Sequence, residues 1–336
     1  MLRILIRFFI FLALMVGGAF FFAQWKLKDE LKTFSNQVRP FMDFNYDAAS
    51  LNLDGEIKIN GIGMYIQSIG AHLEIRELKL FAGNLYQLAF MQSGLQSKQL
   101  PEKTYIKFKD VLLPFDSKLL VELNKNRETT SIDVLETAFC GPVERFGLDE
   151  YAAMGYNYIS FSGDMTYLLD KYDGSLALNG SFDIEDVYYT DFNLKVTGVL
   201  SWYEEFTQQM SGKRNPNEMF ITPDISSLEV NIKDQGFHLR KAEYCSRLEE
   251  SKSDYYSGHV DEIEKKLAGV GMVVPEELKL FYRESIQPDS KVKWSLQPKI
   301  NFEIKNIANY DYSQFVESTG LKVLVNDKSV NLKTEG

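Results

Sequence analysis

The chain has 336 residues, with 37 basic and 47 acidic side chains giving a net charge of −10, and it is 45% hydrophobic and 25% charged. Its length exceeds that of one compact domain, and its Pro plus Gly content, 31 of 336 (9 plus 22), is too low for a disordered or collagen-like chain. Residues 1–23 contain Arg3 and Arg7 and no acid, so the remainder carries 35 basic (37 minus 2) against 47 acidic side chains, or −12; without a basic face to neutralise phosphates, a nucleic-acid partner is excluded.

The N-terminus sets the compartment. Phe8 to Ala23 form an unbroken apolar run of sixteen residues, extended upstream by Ile4, Leu5 and Ile6. At about 1.5 Å per residue the run covers roughly 24 Å. A hydrocarbon core is about 30 Å thick, and Arg7 snorkelling on one side with Gln24 and Trp25 at the other interface closes the difference. Cleavage as a signal peptide at Gly17 and Ala19 is the rival reading. It leaves Phe20, Phe21 and Phe22 as an exposed apolar terminus, so the run is read as an uncleaved transmembrane anchor over 1–25. Everything beyond it lies on one side of the membrane, the exported side.

Residues 26–38 read as a helical or extended stalk leaving the membrane, and strands begin after it. Leu51, Leu53, Ile57 and Ile59 alternate with Asn52, Asp54, Glu56 and Lys58, with Asp54–Gly55 as a turn or bulge. Over 71–81 the apolar phase runs through Leu73 and Ile75, then slips by one residue to Leu78 and Leu80, as an extra residue in a β-bulge does. Residues 84–91 predict a short helix. A strand over 104–113 ends at Pro114–Phe115–Asp116, with Asp116 as N-cap of a helix through Leu119–Leu123. After an irregular stretch with a helix at 148–154, residues 156–200 read as an antiparallel meander with turns at Ser162–Gly163–Asp164 and Asp173–Gly174 and strands at 176–178, 182–188 and 192–200. S-G-K-R-N-P-N at 211–217 reads as a linker, and 226–233 as a strand. Farther on the period changes. Val260, Ile263, Leu267 and Val270 mark a helix over 258–271, Pro275–Glu276–Glu277 opens a second, and a strand over 291–304, a short helix ending at Gly320 and a strand at 321–325 close the chain. The fold class is therefore α+β: an N-terminal transmembrane helix, then a mostly antiparallel, bulged sheet body over 26–210 with short helices, then an α+β segment over 218–336 packed on the same sheet.

One slipped pattern recurs: FDIEDVYY at 182, LEIRELKL at 73, IKFKDVLL at 106 and FEIKNIAN at 302, with looser copies at 57 (IKINGIGM) and 194 (LKVTGVL). With the N-terminal anchor and long exported body, these strands make residues 1–120 and 156–200 resemble the AsmA-like and TamB-like envelope proteins. The resemblance implies an inner-membrane protein whose periplasmic β-structure curls into a groove with an apolar lining, associated with phospholipid traffic or outer-membrane assembly. This chain differs from the long members in its shortness and in its helical 240–290 section, and a strand stack of this size is too small to span a periplasm. The resemblance supplies no catalytic residues to carry over.

Cys140 and Cys245, the two cysteines, form an even count in an exported chain and predict a disulfide. His72, His238 and His259 stand apart in sequence, and no nucleophile-elbow, Walker, zincin or EF-hand spacing is present. Asp183, Glu185, Asp186 and Asp191 alternate along a strand and read as a solvated face. Asn179–Gly180–Ser181 is formally a glycosylation acceptor. Tyr244, Tyr255, Tyr256, Phe281 and Tyr282 read as filling of the helical layer or as a cap on the groove. The apolar strand positions Leu73, Ile75, Leu78, Ile106, Phe108, Val111, Phe182, Ile184 and Val187 read either as core covered by the C-terminal helices or as an open apolar groove for lipid. The expected function is non-enzymatic, with no cofactor or metal: lipid handling or envelope assembly, with membrane lipid and an envelope protein as the partners. The alternatives are a protein-interaction module that pairs sheet edges and an enzyme on cell-wall polymer or lipid, which needs clustered carboxylates in a cleft.

Overall fold

The structure is a computed structural model. It describes residues 21–336 apart from 53, 69, 82–101, 211–222, 250–253, 270, 272–273, 275, 300–301, 304–309, 311 and 331–336. Most of the expected anchor, the helix at 84–91 and the 211–217 linker lie outside the described residues. Among the described residues no helix is long and apolar enough to cross a membrane.

A helix over 21–38, α1, comes first. Strands β1 (Met42–Asn45), β2 (Ala48–Leu51), β3 (Glu56–Ile66), β4 (Ala71–Phe81) and β5 (Lys103–Pro114) follow. Helices α2 (Lys118–Asn126), α3 (Ser131–Glu136) and α4 (Leu148–Ala153) separate them from β6 (Tyr158–Leu169), β7 (Leu176–Ile184), β8 (Tyr188–Thr197), α5 (Val199–Met210) and β9 (Asp224–Asp234). The last third contributes α6 (Phe237–Leu248), α7 (Tyr255–Gly269), α8 (Glu276–Ser285), β10 (Lys291–Leu296), β11 (Phe302–Glu303), α9 (Tyr312–Thr319), β12 (Lys322–Val325) and β13 (Lys328–Ser329). All thirteen strands join one antiparallel sheet in the order β1-β3-β4-β5-β6-β7-β8-β9-β10-β12-β13, with β2 also on β3 and β11 also on β9. The α+β class with a large antiparallel sheet is thus the observed architecture, and the C-terminal strands extend the sheet itself.

The slip in the apolar phase is real, and it lines up across three strands. In β3 it falls at Asn60–Gly61, in β4 at Arg76–Glu77 and in β5 at Lys109–Asp110, positions that face one another in register. Gly61 and Asp110 have left-handed backbones (φ 58° and 50°). Asp47 lies over Gly61 so closely that a Cβ there would stand 1.9 Å from its carboxylate, so a larger residue would have to displace Asp47 as well as hold a left-handed backbone. On the far side β6 absorbs the step: its register with β5 shifts between Phe108 and Val111, the Asp110 N–H donates to Ser162 Oγ at 3.0 Å, and β6 keeps strict alternation. At 182–189 the same pattern is a hairpin turn instead, with Asp186 at φ 60° between β7 and β8.

Three apolar clusters hold the body. Ala23, Leu27 and Leu31 of α1 pack on Leu51, Ile57, Ile59 and Ile62, so the segment expected as a stalk lies back against the sheet. Val199 and Leu200 of α5 join Leu169, Val196 and Ile225 at the strand ends. At the opposite strand ends, Cys140, Phe146, Met154, Tyr156, Phe237, Ala242, Cys245 and Tyr255 form a helical cap. Of the C-terminal helices, α6 and α7 pack on the ends of the strands, because α6 leaves β9 at its last residue and turns directly into the cap, whereas α8 lies against β12, whose Val323 and Val325 are buried. Ser117, one residue after the expected Asp116, is the N-cap of α2 and accepts from the Leu120 N–H. Ser162–Gly163–Asp164 is the centre of β6 and no turn.

Candidate functional site

Antiparallel partners share a face, so the register assigns every strand residue to a side. One row runs Ile57, Leu80, Ile106, Met165, Gly180, Phe192, Val230, Trp294, Val323 across nine strands. The next runs Ile59, Leu78, Phe108, Gly163, Phe182, Thr190, Ile232, Val292, Val325. A third contains Ile62, Ile75, Val111, Phe161 and Ile184, and Leu73 pairs with Met64 beside it. Eight of the nine sequence-derived groove positions thus share one face. Val187 lies in the β7–β8 turn and packs on the helical cap.

Toward β3 this face is closed by α1. Its middle is a plate of aromatic rings in which Phe108 contacts Phe161 and Phe182 (centroids 5.6 and 6.3 Å), and Phe182 stacks on Phe192 at 6.1 Å and 12°. The plate forms because Gly163 and Gly180 have no side chain: a Cβ at Gly163 would meet Phe108 at 2.8 Å and Phe182 at 2.9 Å, and one at Gly180 would meet Phe192 at 2.7 Å. Phe182, Met165 and Trp294 remain 39%, 40% and 39% exposed, far from the burial expected of core aromatics and methionine. At its capped end the face runs into a recess of about 330 Å³ lined by Ile159, Ile184, Phe146 and Tyr151 and roofed by Leu120 and Leu123 of α2.

The opposite face is mostly polar, with Phe81, Leu112, Leu168 and Leu324 among its apolar members. Its central row reads Lys58, Lys79, Lys107, Asp164, Ser181, Asp191, Asn231, Lys293. Three lysines side by side on neighbouring strands repel, and interleaved carboxylates offset this: Lys58 pairs with Glu77 at 2.6 Å, Lys79 with Glu56 at 3.7 Å, and Lys293 with Glu229 at 2.8 Å. The Lys58 and Lys293 ammonium groups, bonded to their partners, hold the Glu77 and Glu229 carboxyls below the usual range. Arg76 and Asp110 pair at 3.1 Å along the slip line. This face is hollow: a depression of about 840 Å³ reaches from Asp47 through Lys107 and Asp183 to Tyr189, and one of about 710 Å³ adjoins it at Arg76 and Asp110. These two depressions have charged walls and exceed in volume the recess at the end of the apolar face.

The histidines do not converge on a reactive group. His72 is exposed in β4, 4.0 Å from Glu74. His259 is wholly buried; its Nδ1–H donates to the Ala138 carbonyl and Nε2 accepts from the Tyr282 hydroxyl at 3.0 Å. Burial pushes its pKa down to about 4, and likewise that of His238, which sits near Asp234. Lys241, buried over the Phe146 ring at 5.1 Å, is pushed down to about 8 for the same reason. Asp234 is a structural carboxylate that accepts the N–H groups of Gly236, His238 and Asp289, tying α6 to the start of β10. Of the acidic cluster, Asp186 pairs with Arg240 at 2.6 Å and Asp191 accepts from Asn231, and among the described residues no group of three or more His, Cys, Asp or Glu is placed to hold a metal ion. Tyr244, Tyr255 and Tyr256 fill the cap, and Cys140 and Cys245 are joined inside it (S–S 2.02 Å). The charged hollow and the recess under α2 were not legible in the sequence, because both arise from strands and helices far apart in the chain. No protein-family model matches the chain, and no curated protein is similar enough to count as a relative.

Proposed function

We propose that this chain is a membrane-tethered, non-enzymatic module of a cell envelope that handles lipid through the apolar face of its sheet, with the N-terminal apolar run as its inner-membrane anchor and the body in the periplasm. The observation that supports the reading most is the face itself: nine strands contribute to two mostly apolar rows, in which Thr190 is the polar member, and Met165, Phe182 and Trp294 in these rows remain exposed. Monomeric soluble proteins rarely leave contiguous apolar surface beyond a few hundred Å² without a partner. Residues 8–23 add a second apolar element, covalently joined to the α1 end of the face. Native mass spectrometry of the full-length protein released from detergent tests the reading. Wild type should retain phospholipid, and the Met165→Asp/Phe182→Asp double variant should retain at least tenfold less; equal retention by both would assign the lipid to the anchor alone.

A protein-interaction role in an envelope assembly is the second reading, favoured by the charged hollow, whose interleaved lysines and carboxylates suit a polar partner segment. Cross-linking from Lys107 to one stoichiometric partner, with no retained lipid, would select it.

A further inference from the structure

We propose that the recess beneath α2 receives the end of a single acyl chain. The inference rests on the lipid-handling reading and adds to it the place where the chain stops. The recess, about 330 Å³, falls at the small end of the range of ligand sites, about 300–1,000 Å³. Ile159 and Ile184 form its floor and are also the last apolar residues of β6 and β7 on the open face, so floor and face are one surface. Phe146 and Tyr151 form the back wall. Its roof is Leu120 and Leu123 of α2, an amphipathic helix with no buried residue, whose Leu123 is 60% exposed although it leans over the recess.

Size and polarity choose the occupant. At about 30 Å³ per water in the liquid, 330 Å³ is the space of about eleven waters, and a methylene is of similar size, so a chain end of roughly ten carbons fits. A protein helix, about 10–12 Å across, does not, nor does a second acyl chain beside the first. Two of the polar side chains at the recess are engaged elsewhere: the Tyr156 hydroxyl donates to the Asp186 carbonyl at 2.9 Å, and the Arg127 guanidinium is paired with the buried Asp133 carboxylate. A polar ligand inside would gain little from them.

The test uses full-length protein in phosphatidylcholine vesicles containing phosphatidylcholine with a diazirine at the terminal carbon of one acyl chain. After irradiation, peptide mass spectrometry should find adducts on Leu120–Leu123 and at Ile184. In Ile184→Trp, which fills the recess, these should fall at least tenfold while adducts near Met165 and Phe182 persist. Leu123→Asp, at an exposed roof position that does not hold the fold, should lower them as well, and an intact Cys140–Cys245 bond with an unchanged far-UV spectrum checks that each variant folds. Adducts on the central face with none under α2, or labelling under α2 that neither substitution lowers, would overturn the recess and leave the lipid-handling reading intact. Adducts confined to residues 1–23 would overturn both.

Discussion

Replacing Cys140 and Cys245 together by alanine removes the longest covalent constraint in the molecule. The bond joins the turn after α3 to α6 across a sequence separation of 105, and the closed loop contains β6, β7, β8 and β9, the centre of the sheet. In the chain-entropy account, a loop of about 100 residues makes the unfolded chain less favourable by about 4.7 kcal/mol, and removing a native disulfide typically costs about 2–5 kcal/mol. A folded domain has a net stability of about 5–15 kcal/mol, so a loss of about 2–5 kcal/mol removes from roughly an eighth of it upward. Both sulfurs are wholly buried among Phe146, Tyr156, Phe237 and Tyr255, so reductant reaches them only when the cap opens, and reduction of the wild type should track unfolding. Urea unfolding followed by the fluorescence of Trp202, inside the loop, and Trp294, outside it, reads both parts together. The expected result is a lower midpoint for both signals and, because the unbridged unfolded chain is more expanded, an equal or steeper m-value. A double variant within about 0.5 kcal/mol of oxidised wild type, inside the range of ordinary surface substitutions, would show that the bond does not constrain the chain, and the reasoning would fail.

Two further outcomes follow from the cap and the sheet edge. His259 and His238 have folded-state pKa values near 4 against an ordinary value of 6.5, so between these pH values the unfolded chain binds more protons and stability rises with pH. Their contribution is present above pH 6.5 and is lost as pH falls toward 4, at up to about 1.4 kcal/mol per pH unit for each ring, less for half-buried His238. His259→Gln should flatten the unfolding free energy across that window; an unchanged slope would assign acid sensitivity to other groups. At the free edge of β2, Gln24 Nε2 donates to the Ala49 carbonyl at 2.9 Å and its Oε1 accepts the Leu51 N–H at 2.7 Å, the pairing a neighbouring strand would give. Gln24→Ala removes two partly buried hydrogen bonds, each worth about 0.5–1.5 kcal/mol, so Leu51 amide exchange should accelerate roughly tenfold or more, and unchanged protection would show that the edge is held otherwise.

The strands are legible where the cause of the structure is local. Alternation over 71–81 and 104–113 marks β4 and β5, and two successive polar residues between apolar ones, Arg76–Glu77 and Lys109–Asp110, mark where both strands slip. The same local pattern misleads where the cause lies elsewhere. Ser162–Gly163–Asp164 has the composition of a turn, yet Gly163 sits mid-strand because the Phe108 and Phe182 rings occupy the space of its Cβ, and those residues come from other strands. At 182–189 the slip is a hairpin, and Arg240, 54 residues away, holds Asp186 in it. The α5 helix follows β8 directly through Gly198, at φ 76°, so Val199 and Leu200, its first two residues, read from sequence as the end of the strand over 192–200. The hollow on the charged face has no local signal at all, since its position depends on how six strands bend together.

These placements give the apolar face a direction. Gln24 and Ala23 dock on Ala49 and Leu51, beside Ile57 at the β3 end where Glu56 pairs with Phe81, and the same strand ends carry Leu169, Val196 and Ile225. Residues 8–23 therefore join the body at that end. Ile184, Tyr188 and Asp234 mark the other end, where the disulfide-bonded cap and the recess lie. Between the two runs the plate of Phe108, Phe161, Phe182 and Phe192, flattened by two glycines and uncovered by helices among the described residues. On the lipid-handling proposal, an apolar chain entering at the α1 end would meet a surface where each buried methylene is worth about 0.8 kcal/mol along most of the rows, Thr190 being the polar member, and it would stop at the aromatic wall of Phe146 and Tyr151. The opposite face, bound into Lys–Glu pairs along its first strands, offers an apolar chain little, and the register that separates the side chains makes the two sides of a single sheet chemically different.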